Sequence, residues 1–77
     1  MFNRGDLVHV PQGVTLIGVQ GSNAIYKITP KPERAIFIEY VGREAQIVGM
    51  DGYTWIVKPK EIFFDKGVEA ANVNRIG

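Results

Sequence analysis

The side chains that most often carry out covalent or acid–base catalysis are scarce in this 77-residue chain. It contains one histidine, His9, one serine, Ser22, and no cysteine. A catalytic triad needs a nucleophile, a base and a carboxylate that converge in space, and no motif joins His9 to Ser22. Without cysteine, a thiol nucleophile, a disulfide framework and a zinc ribbon are all excluded. The sequence therefore predicts a protein that is not an enzyme and has no catalytic residues.

The eight acidic residues form no acid–base or metal-binding motif either. They are spread along the chain at intervals of four or more residues. Glu39 and Glu44 fall near one predicted hairpin end, but a catalytic carboxylate pair also needs a cleft, which so small a domain can scarcely form. A single imidazole without neighbouring carboxylates is a poor set of metal ligands. We therefore expect no metal, no cofactor and no small-molecule substrate.

Composition and size describe the framework that must position any site. The chain is 45% hydrophobic and 22% charged, with a formal net charge of +1, so it should fold and has no strong overall attraction to nucleic acid or anionic membranes. Its apolar runs are too short for a transmembrane helix or a signal peptide. A domain of this size buries only about 60% of the surface that its unfolded chain exposes. Self-association is therefore an expected source of additional stability.

Short β-rich segments separated by turn residues indicate an all-β fold. Asp51-Gly52 is a favoured pair for a two-residue hairpin turn, and Gly42-Arg43 reads as a second such turn. Lys58-Pro59-Lys60-Glu61 is typical of a one-turn connector before a short last strand. The pattern predicts a small, strongly bent five-stranded barrel over residues 1–65, followed by a C-terminal tail or short helix at 66–77.

The two predicted turns fix a register that assigns side chains to the faces of the sheet. With two-residue loops, Ile38 lies opposite Ile47 and Val48 lies opposite Trp55. One face is then aliphatic and suits the barrel interior; it carries Ile36, Ile38, Tyr40, Ala45, Ile47 and Ile56. The other face is rich in aromatic residues; it carries Phe37, Val48, Met50, Tyr53, Trp55 and Val57. A solvated face is usually polar, so something should cover the aromatic one.

Three interpretations of this aromatic face are open. Sharp bending at a barrel corner could turn part of it inward. It could form an interface between copies of the chain, because Trp, Phe and Met are enriched in interface cores; the candidate interface residues are Phe37, Val48, Met50 and Trp55. It could also bind RNA or a protein partner, with rings stacking on bases and ammonium groups meeting phosphates; the candidate contacts are Tyr53, Trp55, Lys58 and Lys60.

Three stretches carry a resemblance that spans most of the chain from Phe2 to Phe64. They are Arg4-Gly5-Asp6-Leu7-Val8-His9-Val10-Pro11, Lys31-Pro32, and Gly52-Tyr53-Thr54-Trp55-Ile56-Val57-Lys58. The chain resembles the small SH3-like β-barrel proteins encoded by tailed phages of marine cyanobacteria, which are similar in fold to Sm-like proteins. The resemblance implies a phage protein that acts in the cytoplasm of an infected host cell, away from membranes.

The Sm-like proteins hold RNA bases with a loop that carries an aspartate, an aromatic residue or histidine two positions on, and an asparagine two further. Asp51 and Tyr53 match this loop, whereas Trp55 stands at the asparagine position, so the resemblance adds Asp51 to the candidate RNA or partner contacts. The family's Ile-Arg-Gly motif before a closing strand is not present. The resemblance implies a non-enzymatic barrel that pairs strand edges into a homo-oligomeric ring, with RNA as the candidate ligand. The alternative is a monomeric SH3-like module that docks a host or phage protein through its aromatic face.

Overall fold

The computed structural model describes residues 1–65, which form an all-β structure, as predicted. One antiparallel sheet contains seven strands rather than the five that we expected. The strands are β1 (Leu7–Val10), β2 (Thr15–Gln20), β3 (Asn23–Ile28), β4 (Glu33–Val41), β5 (Glu44–Gly49), β6 (Thr54–Val57) and β7 (Phe63–Phe64). The predicted tail or short helix at 66–77 lies outside the described residues.

The strand order in the sheet is β3-β2-β6-β5-β4-β1-β7. The sheet has two edges, β3 and β7, and no strand pairing within residues 1–65 joins them into a closed barrel. The inner face nevertheless encloses a single core, formed by Val8, Val10, Val14, Leu16, Ala35, Phe37, Ala45, Ile47, Val57 and Ile62. Because β1 and β2 lie far apart in this order but contribute to the same core, the sheet must bend around it.

The connection between β6 and β7 is the one-turn helix that the sequence predicts. It is a 3-10 helix at Pro59–Glu61, and the amide of Ile62 donates a hydrogen bond to the carbonyl of Pro59 at 3.3 Å. Proline suits the first turn of a helix because its fixed φ fits there and its missing N–H needs no partner. No helix in residues 1–65 has the length and hydropathy to cross a membrane.

The turn between β4 and β5 also follows the sequence prediction. Val41 pairs with Glu44 across Gly42-Arg43, and Tyr40 pairs with Ala45. Gly42 has φ +62°, and no residue other than glycine has positive φ in the described chain. A two-residue turn with a left-handed glycine in first position is the type II′ arrangement.

A β-bulge further along β4 reverses the predicted assignment of its side chains. The register shifts between Phe37 and Glu39, so Phe37 rather than Ile38 lies opposite Ile47. One extra residue on a strand moves every side chain beyond it to the other face. Phe37 is therefore only 2% exposed, in the core, whereas Ile36, which we expected to be inside, is 38% exposed.

The turn between β5 and β6 contains three residues, not two. The amide of Gly49 donates to the carbonyl of Tyr53 at 2.8 Å, and the amide of Gly52 donates to the carbonyl of Gly49 at 2.9 Å. Gly52 has φ +88°, which confirms the left-handed conformation predicted for it. A three-residue loop of this kind combines a type I turn with a left-handed glycine that forms a bulge.

This extra turn residue changes the register of β6. Trp55 lies opposite Ile47, and Val57 lies opposite Ala45. The predicted pairing of Trp55 with Val48 is therefore wrong by one residue. Trp55 and Val57 face the same side as the core, and the aromatic outer face that the sequence predicts does not exist in that form.

Replacing Gly52 with valine should lower the free energy of unfolding by about 1 kcal/mol or more. A Cβ on Gly52 would meet no atom within 4 Å, so the loss would come from backbone strain alone. Arg43→Val is the matched control, because that turn residue has negative φ. Urea unfolding of the two variants makes the comparison, and equal midpoints would contradict the turn geometry.

Candidate functional site

A concave surface lies around Trp55, mainly on the inner side of β2, β3 and β6. It consists of two adjoining depressions of about 310 and 420 Å³, which share Lys27, Asp51 and Trp55. We call this surface the Trp55 groove. Its remaining lining comprises Gly18, Val19, Gln20, Ile25, Lys31, Pro32, Glu33, Arg34, Gly49, Met50, Tyr53 and Thr54.

The indole of Trp55 lies against the backbone of Gly18. Strands β2 and β6 are neighbours and pair where Ile17 lies opposite Ile56. A Cβ on Gly18 would be only 3.1 Å from Cζ3 of Trp55, so a residue with a side chain would displace the ring. Trp55 is half-buried and packs against the edge of the core. Glycine at this position therefore seats a large aromatic ring at the border of the groove.

Lys27 places a positive charge beside this ring. It lies opposite Leu16 in the β2–β3 ladder and so belongs to the inner face. Its Nζ is 5.7 Å from the centroid of the Trp55 ring, within the range of a cation–π interaction. The same Nζ lies 3.1 Å from Oε1 of Glu33, and both side chains are less than one third exposed. The ion pair and the ring together hold Lys27 in place.

Asp51 organises the turn that carries Tyr53. Its Oδ1 accepts a hydrogen bond from the amide of Tyr53 at 3.0 Å, the pattern of an Asx turn. The side chain of Tyr53 is 66% exposed. Asp51 thus has a structural role in the turn, while the Tyr53 ring is accessible at the groove next to Trp55.

The two lysines predicted to accompany these aromatic residues lie elsewhere. Tyr53 precedes the first residue of β6 and Lys58 follows its last residue. Five residues of extended chain therefore separate Tyr53 from Lys58, a distance of roughly 16 Å at the usual strand rise. Lys58 borders a separate depression near β2. Lys60 belongs to the 3-10 helix beyond it. The structure therefore unites Asp51, Tyr53 and Trp55 but does not bring Lys58 or Lys60 to them.

The cations of the Trp55 groove come instead from β3, the following loop and the start of β4. Besides Lys27, they are Lys31 and Arg34. Nε of Arg34 lies 2.9 Å from Oδ2 of Asp65, whereas Lys31 is exposed and has no ion pair within residues 1–65. Sequence reasoning missed Lys27. The usable signal is that Lys27 is the only charged residue in the otherwise largely apolar segment Asn23–Ile28.

The four residues predicted to form an interface between copies do not share one surface. Phe37 is buried in the core and cannot contribute. Val48 is half-buried and lies opposite Thr54, on the face away from the core, whereas Trp55 faces inward. Met50 is 63% exposed in the turn at the groove. The register changes at the bulge and the three-residue turn are the reason for this separation.

An exposed apolar surface that the sequence analysis missed lies on the outer side of the β2–β3 hairpin. Val19, Tyr26 and Ile28 are 75%, 68% and 65% exposed. Ile17 lies opposite Tyr26 on the same face. This surface borders β3, which is an edge of the sheet. The signal in the sequence is that β3 is apolar at successive positions and so lacks a polar face.

The remaining chemistry-bearing residues are dispersed. His9 lies in β1, opposite Arg34 of β4 and Phe63 of β7, whereas Ser22 lies in the turn between β2 and β3. The described part of the chain has no group of three or more His, Asp or Glu side chains placed to hold a metal ion. In comparisons with known proteins, no family model, curated protein or solved structure matches this chain.

Proposed function

We propose that this chain is a non-enzymatic module of the SH3-like or Sm-like β-barrel kind that assembles with itself and binds single-stranded RNA. The observation that carries the proposal is the half-buried indole of Trp55, seated on Gly18 beside Lys27 at an open groove. The bent sheet around one core supports the barrel-like architecture. Action in the cytoplasm of an infected host cell is part of the proposal and rests on the resemblance to phage proteins.

Stacking would supply most of the affinity for RNA. Trp55 and the exposed Tyr53 line the same depression, so a base that stacks on Tyr53 would lie beside the Trp55 indole, which Lys27 overlies. Base–aromatic stacking contributes about 1 to 3 kcal/mol per base and is tolerant of base identity. We therefore expect little discrimination between uridine and adenine.

Electrostatic attraction would add a smaller contribution. The ammonium group of Lys27 already interacts with Glu33, which leaves Lys31 as the cation at the groove best placed to meet a phosphate. When the logarithm of the binding constant is plotted against the logarithm of salt concentration, each phosphate of a single strand that the protein neutralises adds about −0.7 to the slope. The proposal thus predicts a shallow salt dependence, with a slope between about −0.7 and −1.4 for one or two contacts.

Removing the Tyr53 ring should weaken RNA binding about tenfold, which corresponds to about 1.4 kcal/mol of stacking. Trp55 is the only tryptophan, so quenching of its fluorescence by uridine-rich and adenine-rich oligonucleotides at two salt concentrations reports binding at the groove itself. Tyr53→Ala is preferred to a Trp55 variant, because Tyr53 is exposed and its loss should leave the fold intact.

Lys60→Gln is the matched control for this titration. That residue is exposed and lies outside the Trp55 groove, so its replacement should leave affinity unchanged. The proposal would be contradicted if low-salt RNA left Trp55 fluorescence unaltered. An equal loss of affinity in Tyr53→Ala and Lys60→Gln would move the RNA site away from the groove.

The second candidate function is docking of an extended segment of a host or phage protein by a monomer. The observation that favours it is the exposed edge strand β3, because such edges accept an additional strand in many recognition modules. This function predicts a monomer whose Trp55 fluorescence is not quenched by RNA. Mass and fluorescence therefore distinguish the two candidates.

A further inference from the structure

Strand β3 is a sheet edge with few of the features that normally prevent edge pairing. Its six residues, Asn23–Ile28, contain no proline, and they pair with β2 without a register shift. Natural edges usually carry a charge, a proline or a bulge that blocks another strand. The only charged residue of β3 is Lys27, and its side chain lies on the inner face with Glu33 and Trp55.

The backbone groups that this edge presents follow from the hairpin turn. Gly21-Ser22 is a two-residue loop, with Gln20 opposite Asn23, and in such hairpins the residues flanking the loop are hydrogen-bonded to each other. Hydrogen bonding to β2 then alternates along β3. Thr29 fits this alternation, since its amide donates to the carbonyl of Val14 at 3.0 Å. The outward N–H and C=O groups therefore belong to Ala24, Tyr26 and Ile28.

The side chains of the same three residues lie on the outer face of the sheet. Tyr26 and Ile28 are more than 60% exposed, and Ala24 is exposed beside them. Each outward backbone group is thus bordered by an apolar side chain and by no charge. Both the backbone and the side chains of this edge are suited to another apolar strand.

We propose that β3 pairs antiparallel with β3 of a second copy of this chain, about a two-fold axis at Tyr26. In this register Tyr26 lies opposite itself and Ala24 lies opposite Ile28, so every outward backbone group of the three residues has a partner. On the inner face, Ile25 lies opposite Lys27, which avoids like charges. The inference names the contact for the self-assembly proposed above and rests on that proposal.

The neighbouring registers are less favourable. Centring the axis on Lys27 would place two ammonium groups opposite each other, which destabilises a strand pair. It would also bring Pro30, which has no N–H, opposite Ala24. Centring the axis on Ile25 would place Ile28 opposite Ser22, in the hairpin turn. Only the register centred on Tyr26 uses the whole edge.

The pairing of β3 with itself also differs from the ring that the family resemblance implies. A ring needs two different edges to meet, and the second edge, β7, comprises only Phe63–Phe64. A two-residue strand offers a shorter ladder than the six-residue edge of β3. Contact between two β3 strands is isologous and gives a closed pair.

Single-cysteine variants test this register directly, because the chain has no cysteine of its own. Directly opposite residues in a hydrogen-bonded antiparallel pair have Cα atoms about 5.5 Å apart, a distance that suits a disulfide. Tyr26→Cys should form a cross-linked dimer with itself under mild oxidation. Ala24→Cys and Ile28→Cys should cross-link to each other when mixed and at least tenfold more slowly alone. Val19→Cys is the control, because Val19 is about as exposed as Tyr26 but lies on β2, and it should not form the cross-link.

A charge at the axis gives a second, independent readout. Tyr26→Lys should raise the dimer dissociation constant at least tenfold, whereas Tyr53→Lys, with a comparably exposed ring at the groove, should leave it unchanged. A native chain that is monomeric at high micromolar concentration would overturn both the self-assembly and this contact. A native oligomer in which Tyr26→Cys does not link to itself would overturn the β3 contact alone, and self-assembly would stand.

Discussion

Phe37→Ala is expected to lower the free energy of unfolding by about 3 to 5 kcal/mol, as is usual for removing a buried phenylalanine side chain. Phe37 is 2% exposed. Its ring centroid lies 5.6 Å from that of Phe2 and 4.8 Å from that of Tyr40. The substitution would leave a cavity in the centre of the core and remove the ring that anchors both neighbours. Guanidinium unfolding, followed by circular dichroism, measures the loss.

Ile38→Ala is the informative comparison, because it reports which of two adjacent residues faces the core. Ile38 lies at the bulge and is only half-buried, so its truncation should cost well under half as much as that of Phe37. The reverse order would mean that β4 continues without the bulge and that the aliphatic face predicted from the sequence is the interior after all.

Thr29→Val should lower the free energy of unfolding by about 2 kcal/mol or more, because it leaves two backbone groups without their hydrogen-bond partner and each such group costs about 1 to 3 kcal/mol when buried. Thr29 is 1% exposed. Its hydroxyl donates to the carbonyl of Pro11 at 2.6 Å and accepts from the amide of Val14 at 3.0 Å. Valine keeps the shape of the side chain but satisfies neither group. The hydroxyl therefore joins the two chain segments that enter β2 and leave β3.

Thr29→Ser retains the hydroxyl and removes only a methyl group, so it should be much less destabilising than Thr29→Val. The two variants are compared by thermal and urea unfolding. If valine were tolerated as well as serine, the hydroxyl would have no role in joining these segments, and the hydrogen bonds at this position would contribute nothing measurable.

Much of the fold follows from local sequence signals. The boundaries of β1, the two-residue turn at Gly42-Arg43 and the helical turn at Pro59–Glu61 all appear where turn chemistry and proline geometry predict them. The bulge in β4 has no such signal, because Ile36, Phe37 and Ile38 are all apolar and either register buries a large side chain. The choice depends on packing of Phe37 against Phe2, which is distant in sequence, as well as against the nearby Tyr40.

The turn at Asp51-Gly52 shows how one residue changes a face assignment. A left-handed glycine serves both a two-residue turn and a three-residue turn with a bulge, so Gly52 alone does not distinguish them. The structure has the longer loop, and Trp55 consequently faces the core side rather than solvent. Because side chains alternate between the two faces along a strand, an error of one residue in the predicted register assigns every side chain of that strand to the wrong face.

The candidate site was only partly predictable for a related reason. Asp51, Tyr53 and Trp55 are close in sequence, so a local motif is enough to group them. Lys27 reaches Trp55 only because β2 pairs with β6 and thereby brings the β2–β3 hairpin beside it. That pairing joins segments far apart in the chain, and no local pattern specifies it. Lys58 is close to Trp55 in sequence, but the extended strand β6 places it at the far end from the groove.

Analytical ultracentrifugation of the chain with a labelled uridine-rich oligonucleotide tests the central claim most directly, because it reports self-assembly and RNA binding together. The account predicts that the free chain sediments with twice its 8.6 kDa mass and that the oligonucleotide co-sediments with it at low salt. A chain that sediments at 8.6 kDa while the oligonucleotide sediments alone would contradict both parts of the proposal.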